Sequence, residues 1–323
     1  MMLNIKRFIL STLPVIGLVA FSSCQALEKN KTNNADSNGI ETITILQTAD
    51  IHGQLMPHKE MFVENGKFVF KERGGMAHIQ TLFKQVKKEN PEGTVIVDGG
   101  DLIQGSAVAA MSEGDAIAPV IKAMDYDFLI PGNWEVIFGS KKMRSIMESY
   151  GKPVVCANIY DESTSAMVYP PYIIKEMKGV KLGFISYNDP EVPIRQNPVF
   201  SKGLIFKGLD DNLKPLIKEL KEEKGVDILF LVTHLGISKQ IYLADQPEIE
   251  GVDFVLGNDT HERIRKPLKR KYAQVVEPGG FGSFVGRLDL QVKDGKIVGQ
   301  TYELIDVDPK KYPADPIVQK IVD

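Results

Sequence analysis

An aspartate and a histidine two residues apart, Asp50 and His52, follow an apolar, β-branched run and precede Gly53. Residues i and i+2 of an extended chain point the same way. A carboxylate and an imidazole placed like this can reach one cation together. A single Asp-x-His carries little weight, because polar loops after strands are common. The pattern returns, however, after later apolar runs, as Gly100-Asp101, Gly132-Asn133, Thr233-His234 and Asp259-Thr260-His261. One such loop could be chance; five in a row could hardly be.

Something must hold these loops together, and the surrounding pattern says what. Residues 41–48, 94–98, 127–130, 226–232 and 252–256 read as short buried strands, rich in Val, Ile, Leu and Phe. Helical periodicity predicts helices over 76–88, 140–150 and 213–223, and a longer helical region over 107–124. Residues 61–63 and 68–70 flank Asn65-Gly66, a hairpin signal, and 172–175 with 180–187 form a second pair around Lys178-Gly179. The run 153–157, which holds Cys156, reads as a further strand. Residues 273–276 and 284–292 are expected to close a sheet, and 188–197, with two prolines, to be irregular. Strand and helix alternate, so the fold class is α/β. In such folds the site lies at the carboxyl ends of the strands, where all five polar loops fall.

Taken in order, these motifs resemble those of the calcineurin-like metallophosphoesterases. Gly100-Asp101-Leu102-Ile103-Gln104-Gly105-Ser106, Arg73-Gly74-Gly75-Met76-Ala77 and the stretch from Glu277 to Leu290 are similar to the 5′-nucleotidase branch, and the likeness covers about residues 41–305. The resemblance implies a four-layered α/β/β/α sandwich around two bridged divalent ions, with manganese or zinc the leading candidates and iron a third. By resemblance, Asp50, His52 and His261 would hold the first ion, Asn133 and His234 the second, and Asp101 would bridge both. Such a pair acidifies a water and offsets charge on a phosphoryl group. The implied activity is hydrolysis of phosphate esters, nucleotides among them, with Asp101 and Asn133 as the metal-linked catalytic residues.

The chain departs from the family pattern in three places. Trp134 stands in Gly132-Asn133-Trp134-Glu135 where the family has the histidine that helps the transition state or leaving group. Asp259 stands where a second-ion histidine belongs; it can still ligate, and an added carboxylate favours harder ions such as manganese. The third departure is length. The nucleotidases carry a second, nucleotide-gripping domain, whereas this chain is expected to have a phosphoesterase domain at 41–308 followed at 309–323 by the start of a linker helix, the second domain being absent or supplied by a partner.

Composition sets the remaining bounds. With 323 residues, 43% hydrophobic and 25% charged, the chain can bury a large core. A formal net charge of −3 implies no polyanion partner and excludes nucleic acid as the expected one. Lys6 and Arg7 precede an apolar run over 8–21, and Ser22-Ser23 precede Cys24. This resembles a bacterial lipoprotein signal over 1–23, with lipid on Cys24 and a flexible tether over 24–40; a plain secretory signal cut nearby is the alternative. The expected address is the bacterial cell envelope, membrane-anchored through Cys24, on the periplasmic or cell-surface side. Cys156 reads as a buried thiol, and His58 and His78 as surface and helix residues. Arg73 could touch phosphate or form a structural salt bridge, and Trp134 could stack on a ligand or fill space. Lys84–Lys88 reads as a solvated helix face. The leading function is a lipid-anchored phosphoesterase; the alternatives are a thiosulfohydrolase-like hydrolase and a catalytically weak metal-binding lipoprotein.

Overall fold

The computed structural model describes residues 39–323. The signal segment, Cys24 and nearly all of the tether lie outside the described residues. In chain order, β1 (Glu41–Thr48) leads into the hairpin of β2 (His58–Glu64) and β3 (Lys67–Arg73). Asn65 and Gly66 both take positive φ at its turn, as a tight two-residue hairpin requires. Helix α1 (Met76–Glu89) and strand β4 (Thr94–Asp98) follow, then α2 (Ala107–Met111), α3 (Ala118–Ala123), β5 (Phe128–Leu129) and α4 (Ser140–Ser149). The short β6 (Ile159–Asp161) precedes the pair β7 (Tyr172–Met177) and β8 (Val180–Asn188); α5 (Val192–Arg195), β9 (Leu204–Phe206) and α6 (Leu213–Lys218) come next. The last third holds β10 (Ile228–His234), α7 (Ile237–Leu243), β11 (Phe254–Gly257), β12 (Leu268–Lys269), β13 (Gln274–Val276), β14 (Phe284–Lys293), β15 (Lys296–Asp306) and α8 (Pro316–Val322).

Two sheets face each other. One has the order β15-β14-β1-β4-β5, the other β12-β13-β11-β10-β8-β7. Strands β1, β4 and β5 run parallel, as do β8, β10, β11 and β13, so each sheet delivers several strand carboxyl ends to one edge. Alternation of side chains sorts the core into three apolar layers. Ile43, Ile45, Val95 and Val97 meet Phe184, Phe230 and Phe254 between the sheets. Leu46, Ile96 and Leu129, on the opposite face of the first sheet, pack under α1, α3 and α4. Leu229, Leu231 and Val255 pack under α6 on the far face of the second. Helix, sheet, sheet, helix is the expected four-layered sandwich.

The three central phenylalanines lie in register across β8, β10 and β11, with Phe184 and Phe230 stacked at 4.7 Å and Phe230 and Phe254 at 5.7 Å. All three are fully buried. Truncating Phe230 to alanine would cost about 3–5 kcal/mol, through lost transfer energy and the cavity left behind.

Several expectations are corrected. The helical region over 107–124 is two helices, broken where Glu113 and Gly114 both take positive φ. The run holding Cys156 forms a single bridge, Val154 with Leu129, rather than a strand; Cys156 itself is buried, as expected. Residues 273–276 and 284–292 do not share a sheet, since β13 pairs with β11 and β14 with β1. Both runs are apolar, and sequence pattern carries no information on partner choice. Residues 188–197 include the helical turn α5. His78 is nearly buried and bonds the Tyr312 carbonyl. His58 lies beside Ser283 and Glu60 rather than standing free on the surface. Arg73 pairs with Asp306 and Asp308, which is the structural reading. In the lysine-rich face of α1, Lys84 is salt-bridged to Asp315, the N-cap of α8. That helix docks on α1 and α3 with Val318 fully buried. Among the described residues no helix is long and apolar enough to cross a membrane.

Candidate metal centre

The site forms where the carboxyl ends of the two sheets meet. Gln47 and Asn258 staple that edge: the Gln47 amide donates to the Gly257 carbonyl and to Asn258 Oδ1, both at 3.0 Å. The first sheet contributes the loops after β1, β4 and β5, which carry Asp50, His52, Asp101 and Asn133. The second contributes those after β10 and β11, carrying His234, Asp259 and His261.

Asp50 and His52 do converge, but not by extended geometry. Asp50, His52, Asp101 and His261 all take left-handed backbone conformations with φ between 51° and 59°, and Asp259 has φ 95°. Non-glycine residues avoid this region, and such strain concentrates at functional sites. Backbone bonds hold the strained loops: Asp50 N–H donates to the Gly100 carbonyl, His52 N–H to the Asp101 carbonyl and Phe281 N–H to the Asp50 carbonyl. Gly132 is required by close approach, since a Cβ there would lie 2.2 Å from Asp101 Oδ1.

Two trios of ligand atoms result, Asp50, His52 and His261 in one and Asp50, Asp101 and His234 in the other. Asp50 Oδ1 lies 3.6 Å from His261 Nε2 and 3.7 Å from His234 Nε2, so it is common to both. Asp101 Oδ2 lies 3.1 Å from His234 Nε2 and 3.8 Å from His52 Nε2, between the two trios. Asn133 Oδ1 is 3.1 Å from His234 Nε2. Asp259 Oδ1 is 3.7 Å from that nitrogen, at the rim of the second trio.

The residues fit divalent ions on several counts. His52 Nδ1 bonds the Gln104 carbonyl at 2.7 Å and His234 Nδ1 the Gly99 carbonyl at 2.8 Å. With Nδ1 committed to a carbonyl, each ring once deprotonated would present its Nε2 lone pair to the centre, the usual tautomer lock of a ligating histidine. The Nε2 atoms of His52 and His261 face each other at 3.1 Å. Asp50 Oδ1 is buried without a hydrogen-bond partner, a costly state for a carboxylate oxygen unless a cation offsets it. The Asn133 amide has two settings. In one its NH2 donates to Asp101, Asp259 and His234; in the other its oxygen is turned toward the same atoms, the setting a ligating amide would take.

Electrostatics agree. Burial drives the Asp50 carboxyl well above the usual range, against the pull of His234 and with Asp101 adding to it. His234 is raised well above an ordinary histidine: burial opposes its charge, but Asp101, Asp50 and Asp259 outweigh it. Burial and then His52 push His261 down to about 4. Glu135 is pushed up to about 7 by burial and by Asp101.

Supporting residues emerge that the sequence left without a role. Glu135 accepts from the backbone N–H groups of Gly132, Asp101 and Leu102 at 2.5–2.9 Å, knitting the β4 and β5 loops together. Glu277 accepts from Thr260 and Glu262, fixing the turn that carries His261. Phe281 packs edge-on to His261 at 4.9 Å. Arg195, on α5, grips Asp259 with Nη1 at 3.1 Å and Nη2 at 2.9 Å. A signal for this region was present in the sequence: β8 also ends in Asn188-Asp189, a sixth polar strand end.

Above the trios lies a pocket of about 370 Å³ lined by His52, Asp101, Trp134, Arg195, Asp259 and His261, among others. A larger groove of about 730 Å³ lies over α6, but none of the converging ligand atoms is in it. The chemistry places the site in the smaller pocket.

A four-layered sandwich with carboxylates, imidazoles and an amide converging at its strand ends defines a metallophosphoesterase-type protein. The sequence profile of the calcineurin-like phosphoesterases matches residues 43–263, and the chain belongs to that family. It is 25% identical over 299 residues to the 5′-nucleotidase of Vibrio vulnificus, covering 83% of this chain and 52% of that protein. Identity with the 2′,3′-cyclic-nucleotide 2′-phosphodiesterase/3′-nucleotidase of Salmonella typhimurium is 28% over 244 residues, covering 68% of this chain and 36% of the other. Among solved structures, the sulfate thiohydrolase SoxB of Thermus thermophilus superposes with a TM-score of 0.80 at 21% identity, covering 87% of this chain and 59% of that one. The 5′-nucleotidase precursor of Thermus thermophilus gives 0.75 at 22%, covering 87% and 58%. The chain thus spans about half the length of the curated 5′-nucleotidases it matches.

Proposed function

We propose that this protein is a dinuclear-metal-dependent phosphoesterase that hydrolyses phosphate esters, nucleotides among them. The carrying observation is the pair of ligand trios sharing Asp50, with Asp101 between them. Asp50, His52 and His261 would hold one ion; Asp101, Asn133 and His234 would hold the other, with Asp259 at its rim. Two such ions, manganese or zinc first and iron third, supply an acidified water and offset charge on the phosphoryl oxygens. The chain's own residues orient the ester: Trp134 and Phe281 wall the pocket, and Arg195 supplies positive charge. The indole N–H of Trp134 can donate a neutral hydrogen bond but cannot titrate, so a leaving group that needs no proton suits this pocket best.

That last point also favours a second reading, cleavage of a sulfur-linked group whose thiolate leaves unprotonated. The test is turnover of alkyl phosphates, aryl phosphates, nucleotides and a thiosulfonate, with manganese and with zinc. Phosphoester turnover that requires metal supports the first reading. Thiosulfonate turnover alone supports the second, and none at all from fully metallated protein leaves a binding lipoprotein.

For the address, we infer a lipid anchor at Cys24 in a bacterial cell envelope. The basic and apolar residues before it support the reading, and Cys24→Ser should release the protein from membranes.

A further inference from the structure

We propose that Arg195 is the anchor for a tetrahedral oxyanion, the phosphoryl or sulfonyl group of the substrate, and that Asp189 and Asp259 hold its guanidinium in place for that task. The proposal rests on the hydrolase reading above and names the residue that recognises the reacting group.

Asp101 and Asp259 line the pocket and Asp50 is buried beside them, carboxylates that the proposed divalent ions would offset. Among the described residues lining it, Arg195 is the one side chain with permanent positive charge. Lys239, which shares Asp189 with Arg195, is turned to Asp189 at 2.9 Å and to Glu191 at 2.5 Å.

Arg195 is fixed rather than loose. Nη1 donates to Asp189 Oδ2 at 2.6 Å and to Asp259 Oδ2 at 3.1 Å, and Nη2 donates to Asp259 Oδ1 at 2.9 Å. Asp189 is fully buried and is itself anchored, with one oxygen accepting from the Glu191 N–H. A guanidinium has five N–H donors in a planar fork. These bonds use three, which leaves two uncommitted on a side chain still 36% exposed. An arginine serving only to tie loops together would not need an open wall. Spare donors on a pre-set fork beside the metal ligands are what a phosphoryl or sulfonyl oxygen requires.

The position of Asp259 gives this weight. Its Oδ1 stands 3.7 Å from His234 Nε2 and also accepts from Arg195. The arginine is thereby tied directly to the rim of the second trio, so an anion reaching that trio meets Arg195 in the same step.

The test measures inorganic phosphate binding calorimetrically on the full-length protein reconstituted with manganese, metal content being determined for every sample. Arg195→Ala should weaken phosphate binding about 10- to 100-fold, the range of a lost charge-assisted hydrogen bond, and added guanidinium ion should restore part of it. Arg195→Lys keeps the charge without the fork and should fall between the two; it also serves as the second variant if Arg195→Ala misfolds or loses metal. Asp189→Asn, a positioning change, should weaken phosphate binding less than Arg195→Ala with metal content unchanged. Equal phosphate affinity in wild type and a fully metallated Arg195 variant overturns the proposal, as does a metallated wild type that binds no phosphate. Failure of the hydrolase reading looks different, because binding would depend on Arg195 while no ester turns over.

Discussion

The two candidate ligand trios are built to different standards. The first, Asp50, His52 and His261, is carboxylate and imidazole throughout, and its strained backbone is closed by Phe281 and Glu277. Beside the second, where Asp101 and His234 meet Asn133, stand Trp134 and Asp259, the latter with both oxygens bonded to Arg195. On the function proposed above, the difference teaches that holding metal and using it are separable: candidate ligand atoms converge in both halves, while an indole that cannot titrate and a salt-bridged carboxylate stand beside the second. The first half is therefore the expected tight site and the second the adjustable one.

The hardest blow to that comparison is Asp101→Ala. Because Asp101 Oδ2 lies between both trios, the variant should lose both ions and all turnover. Metal analysis that finds one ion fully retained would show that Asp50 alone is the shared ligand. His261→Ala and Asn133→Ala should instead each remove one ion, the first costing the tighter of the two.

Trp134→His comes next. Restoring a titratable donor should raise turnover of alkyl phosphates by about 10²-fold or more, the lower end of general acid help, and that of activated aryl phosphates far less. Steady-state rates on both classes, in protein of checked fold and metal content, decide it. Equal gains would make Trp134 a packing or stacking residue.

A smaller effect is expected at Glu135, whose carboxylate accepts three backbone N–H groups around Asp101. Glu135→Gln offers one oxygen where two were used. It should weaken metal binding by about 10- to 100-fold, the usual range for a residue that orients a ligand, as read by competition with a chelator.

The gentlest probe is pH. His261 is lowered to about 4, so it is already neutral above pH 5 and its proton does not compete with the first ion. His234 is raised by Asp101, Asp50 and Asp259 against its burial, so the protein without metal holds a proton there that the second ion must displace. Both ions share whatever proton the raised Asp50 carboxyl holds, so affinity for the second ion should rise with pH near neutrality more steeply than that for the first, by about tenfold per unit for the extra proton released at His234. Calorimetric titration with manganese from pH 6 to 8 checks it; parallel slopes would erase the distinction between the halves.

Much of this was legible along the chain. The strands β1, β4, β8, β10 and β11, the hairpin turn at Asn65-Gly66 and the ligand loops all follow from local pattern, because alternation, helical period and glycine placement act over a few residues. Where the reading failed, the deciding contacts were remote. Whether 273–276 joins β11 or β14 depends on the sheet it meets, not on its own apolar residues. The break between α2 and α3 is the exception and is local, since the adjacent Glu113 and Gly114 both take positive φ.

The sequence by itself determined which atoms are offered to a cation and in which order, because ligand type is a property of the residue and strand ends are a property of local pattern. The tertiary structure decided how those atoms share the centre. Asp50 reaches both trios only because the strand ends of two face-packed sheets are tied together at Gln47 and Asn258. Asp259 stands at the metal rim with an arginine 64 positions away in its grip, and a pairing at that separation is set by packing of whole loops rather than by anything either residue's neighbours encode.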